Sequence, residues 1–458
     1  ASPTPLARWP CGCADPRTPA PAPPGDPFTP TEQRPVGSHE ARTGYGSPMS
    51  TLRIEAEPES VGMSASRLSR IDQHFRHYVD DGRLAGWQLA VARHGKVVHH
   101  SLYGHRDLAA GLPVEADTIW RIYSMTKPIT AVLALQLWEE GAFELNDPLH
   151  RYLPAFRDTK VWRAGSVNNP ILDPQVEPVR LWQLFAHTAG LTYGFMYNHP
   201  VDELYRRAGF EWAMPGENLA EMCDHLARLP LLFQPGSEWN YSMGLDVLGR
   251  VLEVVSGQPL DELMRDRLLA PLGMNDTTWY ASEAQQGRLA TLYGAHPATG
   301  AAVPLDVAGA AALHPPQALL GGGGLLSTAY DYQRFVQMLA NEGELDGVRI
   351  LSPRTVRYMA SNHLPGGADL TSFGRPLFSE TTFDGVGFGL GVSVSIDPVA
   401  ARVPGNPGEF AWGGAASTAF WVDPADELTV TFFTQLLPSS THPIRSQLKQ
   451  LVYQAMLD

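Results

Sequence analysis

The chain has 458 residues, enough to form one or two sizeable hydrophobic cores. Its 44% hydrophobic and 18% charged residues are typical of a globular protein. Lys and Arg number 34 against 48 Asp and Glu, which gives a formal net charge of −14. This acidic balance argues against nucleic acid or an anionic membrane as the main partner. No apolar stretch approaches the roughly 18 residues that a transmembrane helix needs.

Residues 1–48 are rich in proline and show no hydrophobic period, which predicts a disordered or non-native leader. The leader lacks the apolar core of a secretory signal, so we expect a cytoplasmic protein. Cys11 and Cys13 lie in this leader, and Cys223 fits the apolar face of a helix, so no disulfide framework is expected. No spacing of ligating residues indicates a metal site.

The remaining chain begins with a helix pattern at 66–79, followed by strand patterns at 87–94 and 96–102. Gly95 between the two alternating runs is typical of a tight hairpin turn. From residue 124 to about 280 the pattern is mostly helical, with long connections such as 165–178. Strand patterns return at 387–396, 417–422 and 428–434, and a helix pattern at 443–456 follows.

This order of elements indicates an α/β domain built from both ends of the chain. We expect this domain to comprise residues 57–123 and 318–458, with a mostly helical domain inserted at 124–317. The active site is expected at the seam between the two. The connections 165–178, 193–217 and 362–386 are expected to line or cover it. Several aromatic side chains in the second connection indicate an apolar entrance, although ordinary packing explains them equally well: Tyr193, Phe195, Tyr197 and Trp212.

The most informative motif reads Ser124-Met125-Thr126-Lys127 and is followed by Pro128 and an apolar run of helical period. Proline is tolerated in a first helical turn, so a helix is predicted to begin at about Ser124. Spacing i, i+3 places the serine hydroxyl and the lysine amine on one face. A partly desolvated lysine could then take the serine proton, as in Ser-Lys nucleophile pairs. The alternative is a capping serine beside a surface lysine.

Two later motifs sit at junctions between elements. Tyr241 follows a turn and precedes an apolar helix pattern, so its hydroxyl could enter a cleft as a general base or proton relay. The alternative is a half-buried core tyrosine. Trp412-Gly413-Gly414-Ala415 precedes a strand pattern, where two glycines would let the backbone approach a ligand. The amides of Ala415 and Ser124 could then face a developing oxyanion. The alternative is a turn between strands with an aromatic cover.

Two further segments favour structural roles. The glycine run 321–324 lacks the Gly-Lys-Ser/Thr of a phosphate loop, and a wall of close backbone approach before a helix capped by Ser327 or Thr328 fits it better. His187 follows an apolar segment, and a buried histidine that fixes the turn is favoured over a catalytic one. The chain contains no Gly-x-Ser-x-Gly, which argues against an α/β-hydrolase nucleophile.

The Ser-x-x-Lys, Tyr-Ser-Met and Trp-Gly-Gly motifs, in this order and spacing, resemble the serine β-lactamase and penicillin-binding-protein superfamily. Segments 184–191 and 321–328 also look like parts of its class C branch. The resemblance covers about residues 57–458. It implies an α/β (α+β) fold of the β-lactamase/transpeptidase type, with an antiparallel sheet flanked by helices and an inserted, mostly helical domain.

Two departures from the superfamily pattern are informative. Met243 stands where class C β-lactamases and DD-peptidases have asparagine, and Trp412 stands where they have lysine. Losing both polar groups should weaken recognition of anionic, amide-bearing substrates. A tryptophan instead supplies an apolar wall suited to neutral esters. Tyr-Ser-x together with Trp-Gly-Gly is similar to the family VIII carboxylesterases, which look like β-lactamases but cleave esters.

The resemblance implies a serine carboxylesterase that hydrolyses small neutral esters through an acyl-enzyme. It assigns catalysis to Ser124, Lys127 and Tyr241, substrate binding to residues 412–414, and the oxyanion hole to the amides of Ser124 and Ala415. No metal or cofactor is expected, and the expected partner is a small-molecule ester. The alternatives are an acyltransferase of the same fold, a weak β-lactamase or DD-peptidase, and a non-catalytic binding protein.

Overall fold

The computed structural model describes residues 51–211, 216–375 and 383–458, so the predicted leader and Trp212 lie outside the described residues. The α-helices, in chain order, are α1 (Ala65–Asp80), α2 (Thr126–Glu139), α3 (Leu181–Phe185), α4 (Pro200–Arg207), α5 (Leu219–Leu226), α6 (Gly244–Ser256), α7 (Leu260–Met264), α8 (Glu283–Gln286), α9 (Asp306–Ala310), α10 (Ala329–Ala340), α11 (Pro353–Met359), α12 (Leu370–Phe373), α13 (Pro398–Ala401) and α14 (Ile444–Tyr453).

The β-strands are β1 (Gly86–Arg93), β2 (Lys96–Asp107), β3 (Leu112–Pro113), β4 (Ile119–Arg121), β5 (Val161–Ser166), β6 (Asn169–Asp173), β7 (Tyr293–Ala295), β8 (Ala302–Pro304), β9 (Leu326–Thr328), β10 (Glu344–Leu345), β11 (Val348–Arg349), β12 (Val386–Phe388), β13 (Ser393–Ser395), β14 (Phe410–Gly413), β15 (Ala419–Asp423), β16 (Leu428–Phe433) and β17 (Leu436–Leu437).

The main sheet has eight strands in the order β12-β13-β14-β15-β16-β1-β2-β3, and neighbouring strands are antiparallel. Within this sheet the pairing of β1 with β16 joins the two ends of the chain, with Leu89 opposite Phe432. The sheet is therefore complete only when strands from the last third of the chain pair with the hairpin of β1 and β2. The predicted antiparallel sheet flanked by helices is confirmed, whereas the domain boundaries at 57–123, 124–317 and 318–458 stay a prediction.

The sheet is covered on both faces because successive side chains of its central strands point to opposite sides. On one face Trp421 and Phe432 pack in a buried cluster that also contains Leu448 of α14 and residues of α1. On the other face Phe420 and Phe433 join a larger cluster that includes α2, α6 and α10. Burial on both sides explains why β15 and β16 are buried along their whole length.

The predicted helices at 66–79 and 443–456 and the hairpin around Gly95 are confirmed, within a few residues at each end. The connection predicted at 165–178 is wrong in its first half, because β5 and β6 form a hairpin in which Gly165 pairs with Pro170. The single strand predicted at 387–396 is also wrong, since β12 and β13 are two short strands that pair with each other. None of the helices in the described ranges has the length and apolar character needed to span a bilayer.

Candidate active site

Ser124 lies on a short 3-10 turn, Tyr123–Met125, between β4 and α2. The α-helix begins at Thr126, so the prediction that Ser124 starts the helix is off by one short turn. Tyr123 has φ 42°, a left-handed conformation that costs free energy for a residue with a Cβ. Such strain directly before a half-buried serine is typical of a functional site.

Lys127 is fully buried, and its Nζ is surrounded by acceptors. It lies 3.3 Å from Ser124 Oγ, 3.0 Å from the Tyr193 hydroxyl and 2.5 Å from the carbonyl oxygen of Gly322. The predicted juxtaposition of the serine and the lysine on one side of the helix is therefore present. The alternative of a surface lysine does not fit this burial.

Tyr241, 117 residues later in the chain, reaches the same hydroxyl. Its hydroxyl donates to Ser124 Oγ at 2.6 Å, and Lys127 Nζ lies 4.5 Å from the centre of its ring. The side chain is 7% exposed and sits just before α6, as the sequence predicted. Ser124 Oγ thus contacts two groups able to exchange a proton with it, which is the geometry that activates a serine nucleophile.

Two residues near the lysine were not recognised as site residues from the sequence. Tyr193, expected only as an entrance aromatic, accepts from Lys127, and its hydroxyl lies 3.4 Å from Asp246 Oδ2. Asp246 is 2% exposed, and its Oδ1 accepts from the amide of Gly322 at 2.8 Å. The sequence signal for Asp246 is a carboxylate in the first turn of the apolar helix pattern that follows Tyr241.

Burial affects the pKa values of these two groups in the same direction. It raises the pKa of the Tyr193 phenol well above its ordinary value, and the nearby Asp246 raises it further. Burial also raises the pKa of the Asp246 carboxyl, while the charge of Lys127 and the bond from Gly322 oppose that shift. Tyr193 therefore stays a neutral phenol that can donate one hydrogen bond and accept another.

Within the glycine run 321–324, Gly321 and Gly322 pack closely against α6, in keeping with the predicted wall of close approach. A Cβ on Gly321 would lie 2.6 Å from the Leu245 carbonyl oxygen, and one on Gly322 would lie 2.5 Å from Asp246 Oδ2. Thr328 then caps α10 by accepting from the amide of Asp331. These contacts explain why glycine, rather than any larger residue, stands beside the lysine.

The Trp-Gly-Gly segment closes the other side of the nucleophile. Trp412 and Gly413 belong to β14 itself, and the Trp412 ring centre lies 5.6 Å from that of Tyr241. A Cβ on Gly414 would lie 2.4 Å from the Ile122 carbonyl oxygen, so glycine lets this strand end pack against the turn that holds Ser124. Gly414 thus permits a close approach to protein backbone, and Gly413 leaves room for the guanidinium of Arg445.

Ala415 follows directly and lines the same cleft as Ser124. Within the described ranges, no group accepts a hydrogen bond from its backbone amide. Arg445 of α14 anchors the loop that carries it, because its guanidinium donates to the carbonyl oxygens of Gly414 at 2.8 Å and Thr418 at 3.1 Å. A free, anchored amide at the mouth of a cleft is suited to an oxyanion.

His187 lies behind Tyr241 rather than beside the nucleophile. Its ring centre is 4.9 Å from that of Tyr241, and its Nδ1 pairs with Ser242 Oγ at 3.0 Å. Burial and then the charge of Lys127 hold the pKa of His187 well below its usual value. A neutral histidine that supports the tyrosine fits these contacts, in keeping with the structural interpretation.

A cleft of about 410 Å³ opens onto Ser124 and Tyr241. Two of the three predicted connections contribute to it, through Phe195 and Phe383, whereas no residue of 165–178 is among its described lining. At its other end the cleft reaches α14. No cluster of three or more metal-ligating side chains occurs in the part of the chain that the structure describes.

Comparison with known proteins identifies the fold and the family. The family model for beta-lactamases matches residues 71–454. The chain belongs to the beta-lactamase family. Protein Rv1367c of Mycobacterium tuberculosis is 37% identical over 367 residues, covering 79% of this chain and 88% of that protein. Esterase EstB of Burkholderia gladioli is 32% identical over 416 residues, covering 87% and 98%.

Among solved structures, the chain is similar to EstCE1, described as a hydrolase with promiscuous acyltransferase activity. The TM-score is 0.71 at 28% identity, with 85% of this chain and 98% of EstCE1 covered. The predicted β-lactamase/transpeptidase fold and the predicted kinship with serine ester hydrolases of the family VIII type are thereby confirmed.

Proposed function

We propose that this beta-lactamase family member is a serine carboxylesterase that hydrolyses small neutral esters through an acyl-enzyme on Ser124. The observation that carries the proposal is the contact of Ser124 Oγ with both Tyr241, at 2.6 Å, and Lys127, at 3.3 Å. EstB and lovastatin esterase, two relatives that are 32% and 30% identical, are named as esterases, which supports the same activity here.

In acylation, Ser124 Oγ attacks the ester carbonyl carbon while its proton passes to the Lys127–Tyr241 pair. The amides of Ser124 and Ala415 stabilise the oxyanion of the tetrahedral intermediate. When the intermediate collapses, the carbon–oxygen bond to the leaving group breaks and the pair returns the proton to the departing alcohol. The product of this half-reaction is an ester between the substrate acyl group and the serine.

In deacylation, a water molecule takes the place of the alcohol. The same pair accepts a proton from the water as it attacks the acyl carbon, and the second tetrahedral intermediate uses the same two amides. Collapse releases the carboxylic acid and returns the proton to Ser124 Oγ. Both half-reactions use one set of groups, so neither step of this scheme needs a metal or a cofactor.

Trp412 supports the choice of a neutral substrate. Its half-buried ring lies 5.2 Å from that of Phe388 and 5.6 Å from that of Tyr241, so an apolar surface stands beside the nucleophile. A cation at this position would favour an anionic substrate through charge-assisted hydrogen bonds. The indole instead favours acyl and alcohol groups without charge.

Acyl transfer to another alcohol is the second candidate. The description of EstCE1 includes promiscuous acyltransferase activity, and the cleft of about 410 Å³ has room for an acceptor larger than water. In that reaction the acceptor hydroxyl replaces water in the second half-reaction. Adding alcohol acceptors to an ester assay and analysing the products separates the two, because transfer yields a new ester at the expense of the free acid.

The decisive experiment measures initial rates on a p-nitrophenyl ester series and on nitrocefin, for the wild type and Ser124→Ala side by side. We expect rapid turnover of short-chain esters, little nitrocefin hydrolysis, and a loss of at least about a thousandfold in the variant. Dominant nitrocefin turnover would contradict the argument from Trp412. A wild type that neither turns over an ester nor reacts with a covalent serine probe would indicate a non-catalytic binding protein.

A further inference from the structure

Lys127 is a buried amine that has no opposite charge among its direct contacts. The side chain is fully buried, and its Nζ contacts a serine, a tyrosine and a backbone carbonyl, all of them uncharged. An ammonium group in such surroundings is costly unless an opposite charge lies near it. Asp246, also buried, is the carboxylate that approaches it.

Asp246 reaches the lysine through two separate bridges. One is the Gly322 residue, whose amide donates to Asp246 Oδ1 at 2.8 Å and whose carbonyl oxygen accepts from Lys127. The other is the Tyr193 hydroxyl, 3.0 Å from Lys127 Nζ and 3.4 Å from Asp246 Oδ2. Three chain segments far apart in sequence thus converge on one buried pair of opposite charges.

We propose that Asp246 is the buried counter-charge of Lys127 and positions its ammonium group through Tyr193 and Gly322. The inference rests on the proposed function only in taking Ser124 as the nucleophile. Asp246 acts through the lysine and does not contact Ser124, so it is a positioning residue. Its role is separate from the sharing of the proton between Lys127 and Tyr241.

The direction of the hydrogen bonds explains how a distant carboxylate orients the amine. A carboxylate only accepts, so the Tyr193 hydroxyl donates to Asp246 and must accept from Lys127. The carbonyl oxygen of Gly322 can also only accept. Two of the three substituent positions on Nζ are therefore occupied by N–H groups that point away from the nucleophile. The third position is left facing Ser124 Oγ, whether it holds a proton or a lone pair.

Other titratable groups face this pair from each packed element. They are His187 and Tyr193 from the segment after α3, Cys223 from α5, and Tyr241 from the turn before α6. Burial lowers the pKa of His187 and raises those of Tyr193 and Cys223, which moves all three away from the neutral range. A change in the pH profile on altering Asp246 therefore does not arise from His187, Tyr193 or Cys223.

The test is Asp246→Asn, which keeps the shape of the side chain and removes its charge. Without the negative charge the buried ammonium group loses its counter-charge. One limb of the pH–kcat/KM profile should therefore move to lower pH by about one unit or more. Tyr193→Phe, which removes one bridge and keeps the ring, should move the same limb in the same direction by less.

The matched control is Asp202→Asn. Asp202 is equally buried, and it accepts from Thr192 Oγ1 at 2.8 Å and from two backbone amides at the start of α4. Its loss should lower stability without moving the pH profile. The labelling rate of Ser124 with a fluorophosphonate, measured against pH, gives a second readout that does not depend on the choice of ester.

The outcomes separate this inference from the proposed function. If no ester is hydrolysed but Ser124 is labelled, the proposed substrate is wrong and the labelling profile still tests Asp246. If Asp246→Asn folds and its limb stays within about 0.3 unit of the wild type, the inference is overturned. If that variant fails to fold, Tyr193→Phe decides the test instead. An unchanged pH limb in Tyr193→Phe overturns the inference, and a limb that moves to lower pH supports it.

Discussion

Replacing Tyr241 with phenylalanine isolates the contribution of one hydroxyl to catalysis. The substitution removes the 2.6 Å hydrogen bond to Ser124 Oγ and keeps the ring. That ring packs against His187 at 4.9 Å, Tyr193 at 5.3 Å and Trp412 at 5.6 Å between centres, and these contacts survive. The structural cost should therefore be limited to one hydrogen bond, about 1 kcal/mol of unfolding free energy.

The catalytic cost should be much larger. General acid–base groups contribute roughly a factor of 10² to 10⁴, which corresponds to about 3–5 kcal/mol of activation free energy. If Tyr241 shares the proton work with Lys127, kcat/KM for a short-chain ester should fall by that factor in Tyr241→Phe. The assay is the initial rate of p-nitrophenyl ester hydrolysis, with unfolding followed by circular dichroism in the same buffer.

Tyr78→Phe is the matched control, since Tyr78 is also buried and donates one hydrogen bond, to Gln447 Oε1 at 2.7 Å. It lies in the cluster between the sheet and the helices α1 and α14, on the other face from the nucleophile. Its loss should change stability by a similar amount and leave the rate nearly unchanged. A Tyr241→Phe rate within about tenfold of wild type would refute the role assigned to the phenol.

Three further predictions follow from the packing. Gly414→Ala places a Cβ 2.4 Å from the Ile122 carbonyl oxygen. We therefore expect kcat to fall by at least about tenfold, with a smaller change in KM. A variant with the same kcat as the wild type would contradict the role of this contact. Trp412→Lys should raise the ratio of nitrocefin to ester turnover at least about tenfold, and an unchanged ratio would remove the argument for neutral substrates. Burial raises the pKa of the Asp331 carboxyl from 3.8 to about 7, so the folded state retains a proton that the unfolded chain loses. Stability should fall as pH rises between those values, and Asp331→Asn should flatten that dependence in thermal unfolding measured from pH 4 to pH 8.

The features that were predicted correctly depend on residues close together in the sequence, whereas the site contacts that were missed join residues far apart in it. The Ser-x-x-Lys spacing depends only on one turn and the helix after it, so Ser124 and Lys127 could be paired from four consecutive residues. The helix α1 and the hairpin at Gly95 are likewise set by local periodicity and turn chemistry. The glycine and proline around the hairpin of β5 and β6 favour a connection when only the sequence is considered. In the structure Gly165 has φ 101° and pairs with Pro170, where an added Cβ would lie 2.4 Å from the Asn169 carbonyl oxygen.

The residues that support the lysine could not be paired by such reasoning. Tyr193, Asp246 and Gly322 come from three segments, and each pattern has an ordinary local explanation as an aromatic, a helix carboxylate or a loop glycine. Their connection appears only where the folded chain places a hydroxyl and a peptide group between two buried charges. The free-energy cost of burying a charge cannot be predicted from the sequence, because it depends on the environment of each side chain in the folded protein.

Short-range spacing in the sequence is enough to predict the family resemblance, the nucleophile motif and the first hairpin. The tertiary structure established that Tyr241 lies 2.6 Å from Ser124 Oγ and that Gly414 brings a strand end against the nucleophile turn. It also decided that the buried Lys127 faces Asp246 across two bridges. These contacts join residues more than fifty positions apart, and their distances are fixed by the packing of whole elements rather than by any local preference.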